Sequence, residues 1–170
     1  DPELNGGGAI TDFGCYGANL TTWLKEGARP ISVTAVTQQI KPETYPEVDD
    51  EATIILTYPD MQSIIQASWN WPYHRKDLEV YGKSGYILCH NRTDMSILQN
   101  YGEQRSTHQA EALKAPFDDP FAYLAAVVRG EILVQPSDLS ALENNLIVME
   151  ILEAAKQSAE KGKTIFLKKQ

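Results

Sequence analysis

Apolar residues recur along this chain with two periods, and the switch between them divides it. Ile10, Phe13, Gly17, Leu20 and Leu24 return at the spacing of one helix face, which predicts a helix from about Thr11 to Glu26, stopped by Gly27 with Pro30 beyond it. From Ile31 the period falls to two. Ile31, Val33 and Ala35 alternate with Ser32 and Thr34, the pattern of a half-buried strand. Lys41 to Asp50 holds Pro42, Pro46 and four acidic residues, and predicts an exposed loop.

Two β-rich runs follow, Ala52 to Tyr58 and Gln62 to Trp71, with Pro59-Asp60-Met61 between them as a hairpin turn. Leu78 to Tyr81 and Tyr86 to Cys89 flank Gly82-Lys83-Ser84-Gly85, and Met95 to Tyr101 adds a further strand after a turn at Arg92-Thr93-Asp94. Consecutive hairpins build an antiparallel meander. Gly102 to Pro116 is polar and weakly patterned and reads as a loop. Asp119 and Pro120 then open a helix carrying Phe121, Leu124, Ala125 and Val128. The longest helix runs from Ser137 to Gly162, with Leu139, Leu142, Leu146, Met149, Leu152, Ala155 and Ala159 as its expected buried stripe, and Thr164 to Leu167 closes as a short strand. The order predicts an α+β fold: an open, predominantly antiparallel sheet of about six strands, with helices on one face. Both strand parities carry apolar groups, so the other face is not expected to be fully wet.

Composition narrows the function. At 170 residues and 42% hydrophobic the chain has the means for one folded domain. A formal net charge of -8 argues against nucleic acid or an anionic membrane surface as partner. The sequence holds no apolar run long enough to span a bilayer. Cys15 and Cys89 are too few for a disulfide framework and read as reduced core cysteines. His90 and His108 lack a partner at ligand spacing and no Cys-x-x-Cys occurs, so no metal site is expected. A cytoplasmic location is the default expectation, with the periplasm as the alternative.

The candidate chemistry begins at Gly6-Gly7-Gly8. Asp12 and Tyr16, an acid and a phenol four residues apart, share one helix face with Asn19 and Trp23, beside the apolar stripe. A glycine-rich lead-in lets a ligand approach backbone closely, and a helix start offers unpaired N–H groups. The plainer alternative makes Asp12 a helix N-cap and Tyr16 a boundary aromatic. A second cluster, Trp69, Asn70, Trp71, Pro72, Tyr73, His74 and Arg75, ends a predicted strand. Aromatic faces stack on sugar rings while Asn, His and Arg satisfy hydroxyls, so Trp71, His74 and Arg75 join Asn19 as substrate-binding candidates. The alternative for the tryptophans is packing at a sheet edge.

The run from Gly6 to Gly17, with Asp12, Gly14 and Tyr16, resembles the opening of the C-terminal domain in the glucose-fructose oxidoreductase, inositol dehydrogenase and rhizopine-catabolism family. The likeness continues through Ser68 to Pro72, Leu78 to Gly82, Asp119-Pro120-Phe121, and Leu142 to Asn145 with Gly162-Lys163-Thr164. The resemblance implies a nicotinamide-dependent oxidoreductase acting on a sugar, polyol or related secondary alcohol. It implies Asp12 and Tyr16 as catalytic residues and the open sheet face as a homo-oligomer interface. Tyr16 stands where other members carry His, as in the glucose-fructose oxidoreductase and dihydrodiol dehydrogenase branches. The family's dinucleotide-binding domain and its Glu-Lys-Pro motif are not in this sequence, and the glycine run lacks the Gly-x-Gly-x-x-Gly spacing. The chain is thus expected to be one domain of a larger enzyme, with NAD or NADP bound mainly by the missing N-terminal half and a lysine from it lowering the phenol's pKa, ordinarily about 10. A catalytically silent relative that kept the fold for ligand sensing or assembly is the rival reading.

Overall fold

The computed structural model describes residues 1–168. In chain order the elements are α1 (Pro2–Asn5), α2 (Ala9–Asp12), α3 (Gly14–Leu24), β1 (Ser32–Gln38), β2 (Glu51–Thr57), β3 (Gln62–Ser68), β4 (Leu78–Tyr81), β5 (Tyr86–Cys89), β6 (Asp94–Leu98), β7 (Ser106–Gln109), α4 (Pro120–Val128), α5 (Leu142–Lys161) and β8 (Ile165–Phe166). They form two compact units. The first joins Asp1–Asn70 to the segment from Val134 onward, and the second is Trp71–Leu133.

In the first unit a four-stranded sheet runs in the order β3-β2-β1-β8, antiparallel throughout. Its register sets Val33 opposite Leu56, Ala35 opposite Ile54, and Ile54 opposite Ile65. These side chains share one face because strand residues alternate, and they join Ile147, Val148, Ile151, Leu152 and Ala155 of α5 and Ala18 of α3 in one core. On the opposite face Val36 and Ile64 are 64% and 63% exposed.

The second unit is a four-stranded antiparallel sheet in the order β4-β5-β6-β7, followed by α4. The α+β antiparallel architecture and the hairpin turns at Pro59–Met61 and Gly82–Gly85 follow the sequence expectation. The strands number eight among the described residues and are shared between two sheets. The extra pairing comes from β7, inside the segment read as a loop: Ser106, Thr107, His108 and Gln109 are all exposed, so no burial pattern marked them.

Three helix expectations are corrected. The first predicted helix is broken at Phe13 into α2 and α3. α3 approaches the sheet through its glycines: a Cβ on Gly17 would lie 2.5 Å from Ile65 Cγ2, and one on Gly14 would lie 3.1 Å from Ile54 Cδ1. α5 begins at Leu142 rather than Ser137 and buries Asn144, Ile147, Val148, Ile151, Leu152, Ala154, Ala155 and Ser158. Leu142, Leu146 and Met149 of the expected stripe are exposed. Both faces of this helix carry apolar residues, and the β-branched Ile147, Val148 and Ile151 lie in the core with the strands. α4 starts as expected, with Asp119 as its N-cap and Pro120 in its first turn; Ala126 is buried while Phe121, Leu124 and Val128 face solvent.

Candidate functional site

Gly8 is buried, and a Cβ there would meet the Asp49 carbonyl oxygen at 2.1 Å and its Oδ1 at 2.5 Å. Only glycine permits this approach. It brings the Ala9 N–H to the Asp49 carbonyl at 2.9 Å and the Ile10 N–H to Asp49 Oδ2 at 2.7 Å. The expectation of open N–H groups behind the glycine run is therefore corrected, since Asp49 takes the first donors of α2. Burial pushes the Asp49 carboxyl pKa up, opposed by the Ile10 N–H and the nearby Lys156.

One turn on, Asp12 ends α2 with an exposed side chain whose Oδ2 accepts a hydrogen bond from Trp69 Nε1 at 2.9 Å. It caps nothing: the N-cap position of α3 is Phe13, and no side chain caps that helix. Tyr16 lies in the first turn of α3, 55% exposed, its ring centroid 6.3 Å from that of Phe13. Asn19 is half-buried, and its Nδ2 donates to the Leu139 carbonyl at 2.9 Å and to Asn145 Oδ1 at 3.1 Å. It thereby ties α3 to the start of α5.

Trp69 follows β3 and is held on several sides. Its ring lies against Tyr45 with centroids 4.8 Å apart, its carbonyl accepts from Lys41 Nζ at 3.3 Å, and its N–H donates to the Asp50 carbonyl at 2.9 Å. Asp50 is fully buried. It accepts from the N–H groups of Ile40 and Lys41 at 2.8 and 2.7 Å and from Asn70 Nδ2 at 3.0 Å. Burial alone would raise its pKa, but these donors hold it below the ordinary aspartate value. Asn70 Nδ2 also reaches Glu51, which takes a short hydrogen bond from Ser68.

The second unit contains Trp71, His74 and Arg75. Arg75 lies over the Trp71 ring at 4.9 Å from its centroid and grips Asp77 through Nε and Nη2 at 2.6 and 2.8 Å. That carboxylate raises the Arg75 pKa further. His74 is exposed. The same unit has an open cavity of about 470 Å³ bordered by His90, Asp94, Ser96, Arg105 and His108, none of them a sequence-predicted site residue. Among the described residues no group of three or more His, Cys, Asp or Glu is placed to hold a metal, and no helix is long and apolar enough to cross a membrane.

Sequence reasoning placed Trp69 in an aromatic cluster and missed it as the partner of Asp12. Asp49 and Asp50 were missed because acidic residues beside two prolines look like a solvated loop.

Residues 1–88 match a sequence profile described as the GFO/IDH/MocA C-terminal domain. No curated protein matches the chain. Among solved structures, a Thermotoga maritima protein assigned as an oxidoreductase is 17% identical with a TM-score of 0.80, the alignment covering 98% of this chain and 49% of that one. An aldose-aldose oxidoreductase from Caulobacter crescentus, solved with glycerol, is 21% identical with a TM-score of 0.77, covering 98% and 50%. An oxidoreductase from Agrobacterium radiobacter, solved with NAD+, L-tartaric acid and magnesium, is 19% identical with a TM-score of 0.67, covering 92% and 48%. The chain spans about half the length of these structures.

Proposed function

The chain belongs to the GFO/IDH/MocA C-terminal domain family, and on that premise we propose that it is the substrate-binding and self-associating part of an NAD(P)-dependent oxidoreductase acting on a sugar, polyol or related secondary alcohol. The observation that carries this reading is the pairing of Asp12 and Tyr16. Both are exposed on consecutive helical turns, and Asp12 is steadied by an indole rather than used as a cap.

The glycine run does not fit a dinucleotide's pyrophosphate. The Ala9 and Ile10 N–H groups that would receive it are bonded to Asp49, an anionic group itself. The cofactor is accordingly assigned to the remaining half of the enzyme. What falls to this chain is the substrate and its proton. Asp12 accepts hydrogen bonds from substrate hydroxyls. The Tyr16 hydroxyl gives or takes the proton on the reacting oxygen, a task for which a positioned phenol needs a neighbouring cation. Trp71, His74 and Arg75 are the further candidates for holding substrate within their own unit. The open sheet face, with Val36 and Ile64 uncovered, is the proposed self-association surface.

The full-length protein tests this with NAD+ and NADP+ against D-glucose, D-xylose, myo-inositol and glycerol, read as reduced nicotinamide. Turnover of at least one substrate, lost in Tyr16→Phe, is expected. Failure to reduce either cofactor with any of them would reject the reading, and sugar binding without turnover would point to ligand sensing instead.

A further inference from the structure

We propose that Trp69 is a positioning residue for Asp12: its indole N–H fixes one carboxylate oxygen so that the other is presented to a substrate hydroxyl. The inference rests on the reading of Asp12 as a substrate-binding acid. An exposed aspartate has three staggered χ1 wells, and nothing in α2 itself selects among them for Asp12. The bond from Trp69 Nε1 to Oδ2, at 2.9 Å, does so. That bond engages Oδ2 alone, and Oδ1 is the oxygen assigned to a ligand.

The chemistry of the donor suits the task. An indole nitrogen donates and never accepts, so it cannot exchange roles with the carboxylate or draw a proton from a substrate hydroxyl. A donor bonded to an ionised acceptor makes a stronger hydrogen bond than a neutral pair. The anchor is also stiff. Trp69 is half-buried against Tyr45, and its backbone is bonded through both its N–H and its carbonyl, to Asp50 and Lys41 respectively. Asp50 is in turn fixed by two backbone donors and Asn70. Support therefore runs from a buried carboxylate, through an aromatic ring, to an exposed carboxylate, the arrangement by which a binding group is held to its productive geometry.

The test uses the full-length protein. Trp69→Phe keeps a ring against Tyr45 and deletes the N–H. With the best-used member of the substrate panel above, it should raise KM by about tenfold while kcat changes less. Against an Asp12→Ala background, which has no carboxylate to hold, the same substitution should cost less than about twofold. In protein labelled with ¹⁵N-tryptophan, the Trp69 indole N–H signal, identified by its loss in Trp69→Phe, should move upfield in Asp12→Ala. An unmoved set of indole signals, or a Trp69→Phe penalty equal in both backgrounds, would overturn the positioning role. Wild-type turnover in Asp12→Ala would instead overturn the substrate reading of Asp12, and is told apart because the indole shift would persist without any kinetic effect.

Discussion

Gly8→Ala places one methyl group where two backbone segments already touch. The new Cβ would sit 2.1 Å from the Asp49 carbonyl oxygen, whereas carbon and oxygen in close weak contact stay about 3.3 Å apart. The segments must separate by more than about 1 Å to admit it, a displacement that overpacking studies put at about 1–3 kcal/mol. Two hydrogen bonds cross the same gap, from the Ala9 N–H to the carbonyl and from the Ile10 N–H to the carboxylate. The first is worth about 1 kcal/mol and the second, to a charged acceptor, about 1.5–3 kcal/mol, though separation weakens rather than abolishes them. A net loss of about 3 kcal/mol is expected, a large share of an ordinary domain's 5–15 kcal/mol. The effect is steric and not conformational, because Gly8 has φ -95° and ψ -153°, open to alanine. Urea unfolding followed by tryptophan fluorescence measures it. Gly82→Ala is the control: its nearest contact would be an ordinary 3.5 Å, so it should stay within about 0.5 kcal/mol of wild type. A Gly8→Ala loss below about 1 kcal/mol would refute the close-approach argument.

In the complete enzyme Tyr16→Phe should lower kcat by about 10²- to 10⁴-fold with the melting temperature unchanged, and Asp12→Asn should impair KM and kcat together. If both variants melt lower yet turn over normally, the two residues serve packing alone. Light scattering at about 10 μM should show self-association that Ile64→Lys abolishes, and a wild-type monomer at that concentration would count against the open sheet face. Asp50 has a folded-state pKa below the 3.8 of a free aspartate, so the unfolded chain binds its proton first as pH falls. Its contribution is fully present above about pH 3.8 and is lost below it. The urea-midpoint penalty of Asp50→Asn should thus be largest near neutrality and shrink in acid, and a penalty that grows on acidification would contradict the sign.

How far the sequence reached depends on which signal each residue emits. β1 was legible because Val33 and Ala35 alternate with Ser32 and Thr34, and β2 and β3 because two β-rich runs flank the Pro59-Asp60-Met61 turn. The end of α5 was legible, because Gly162, at φ 59°, marks it as a C-terminal glycine should, whereas its start at Leu142 was not. Its face was not legible, because Leu142, Leu146 and Met149 are as apolar as the residues that are buried. Asp12 and Tyr16 could be nominated from their spacing and from the family likeness. The grip of Trp69 on Asp12 could not, since 57 residues separate them and no local periodicity encodes a contact made across β3. Asp50 went unseen for a related reason: its partners are mostly backbone N–H groups, which every sequence possesses.

The discontinuity of the first unit carries a consequence for biosynthesis. β8 pairs with β1 at Ser32 and Val33, the Ala35 N–H donates to the Ser158 hydroxyl at 2.9 Å, and α5 supplies much of the core against which Ile54 and Leu56 rest. All of these closing pieces leave the ribosome after the whole of Trp71–Leu133. The nascent β1–β3 sheet must therefore wait, with its inner apolar face incompletely covered, while more than sixty further residues are translated, a delay of seconds at about 5–20 residues per second. Chain order, rather than final stability, sets the interval in which this protein is open to aggregation and to chaperone capture.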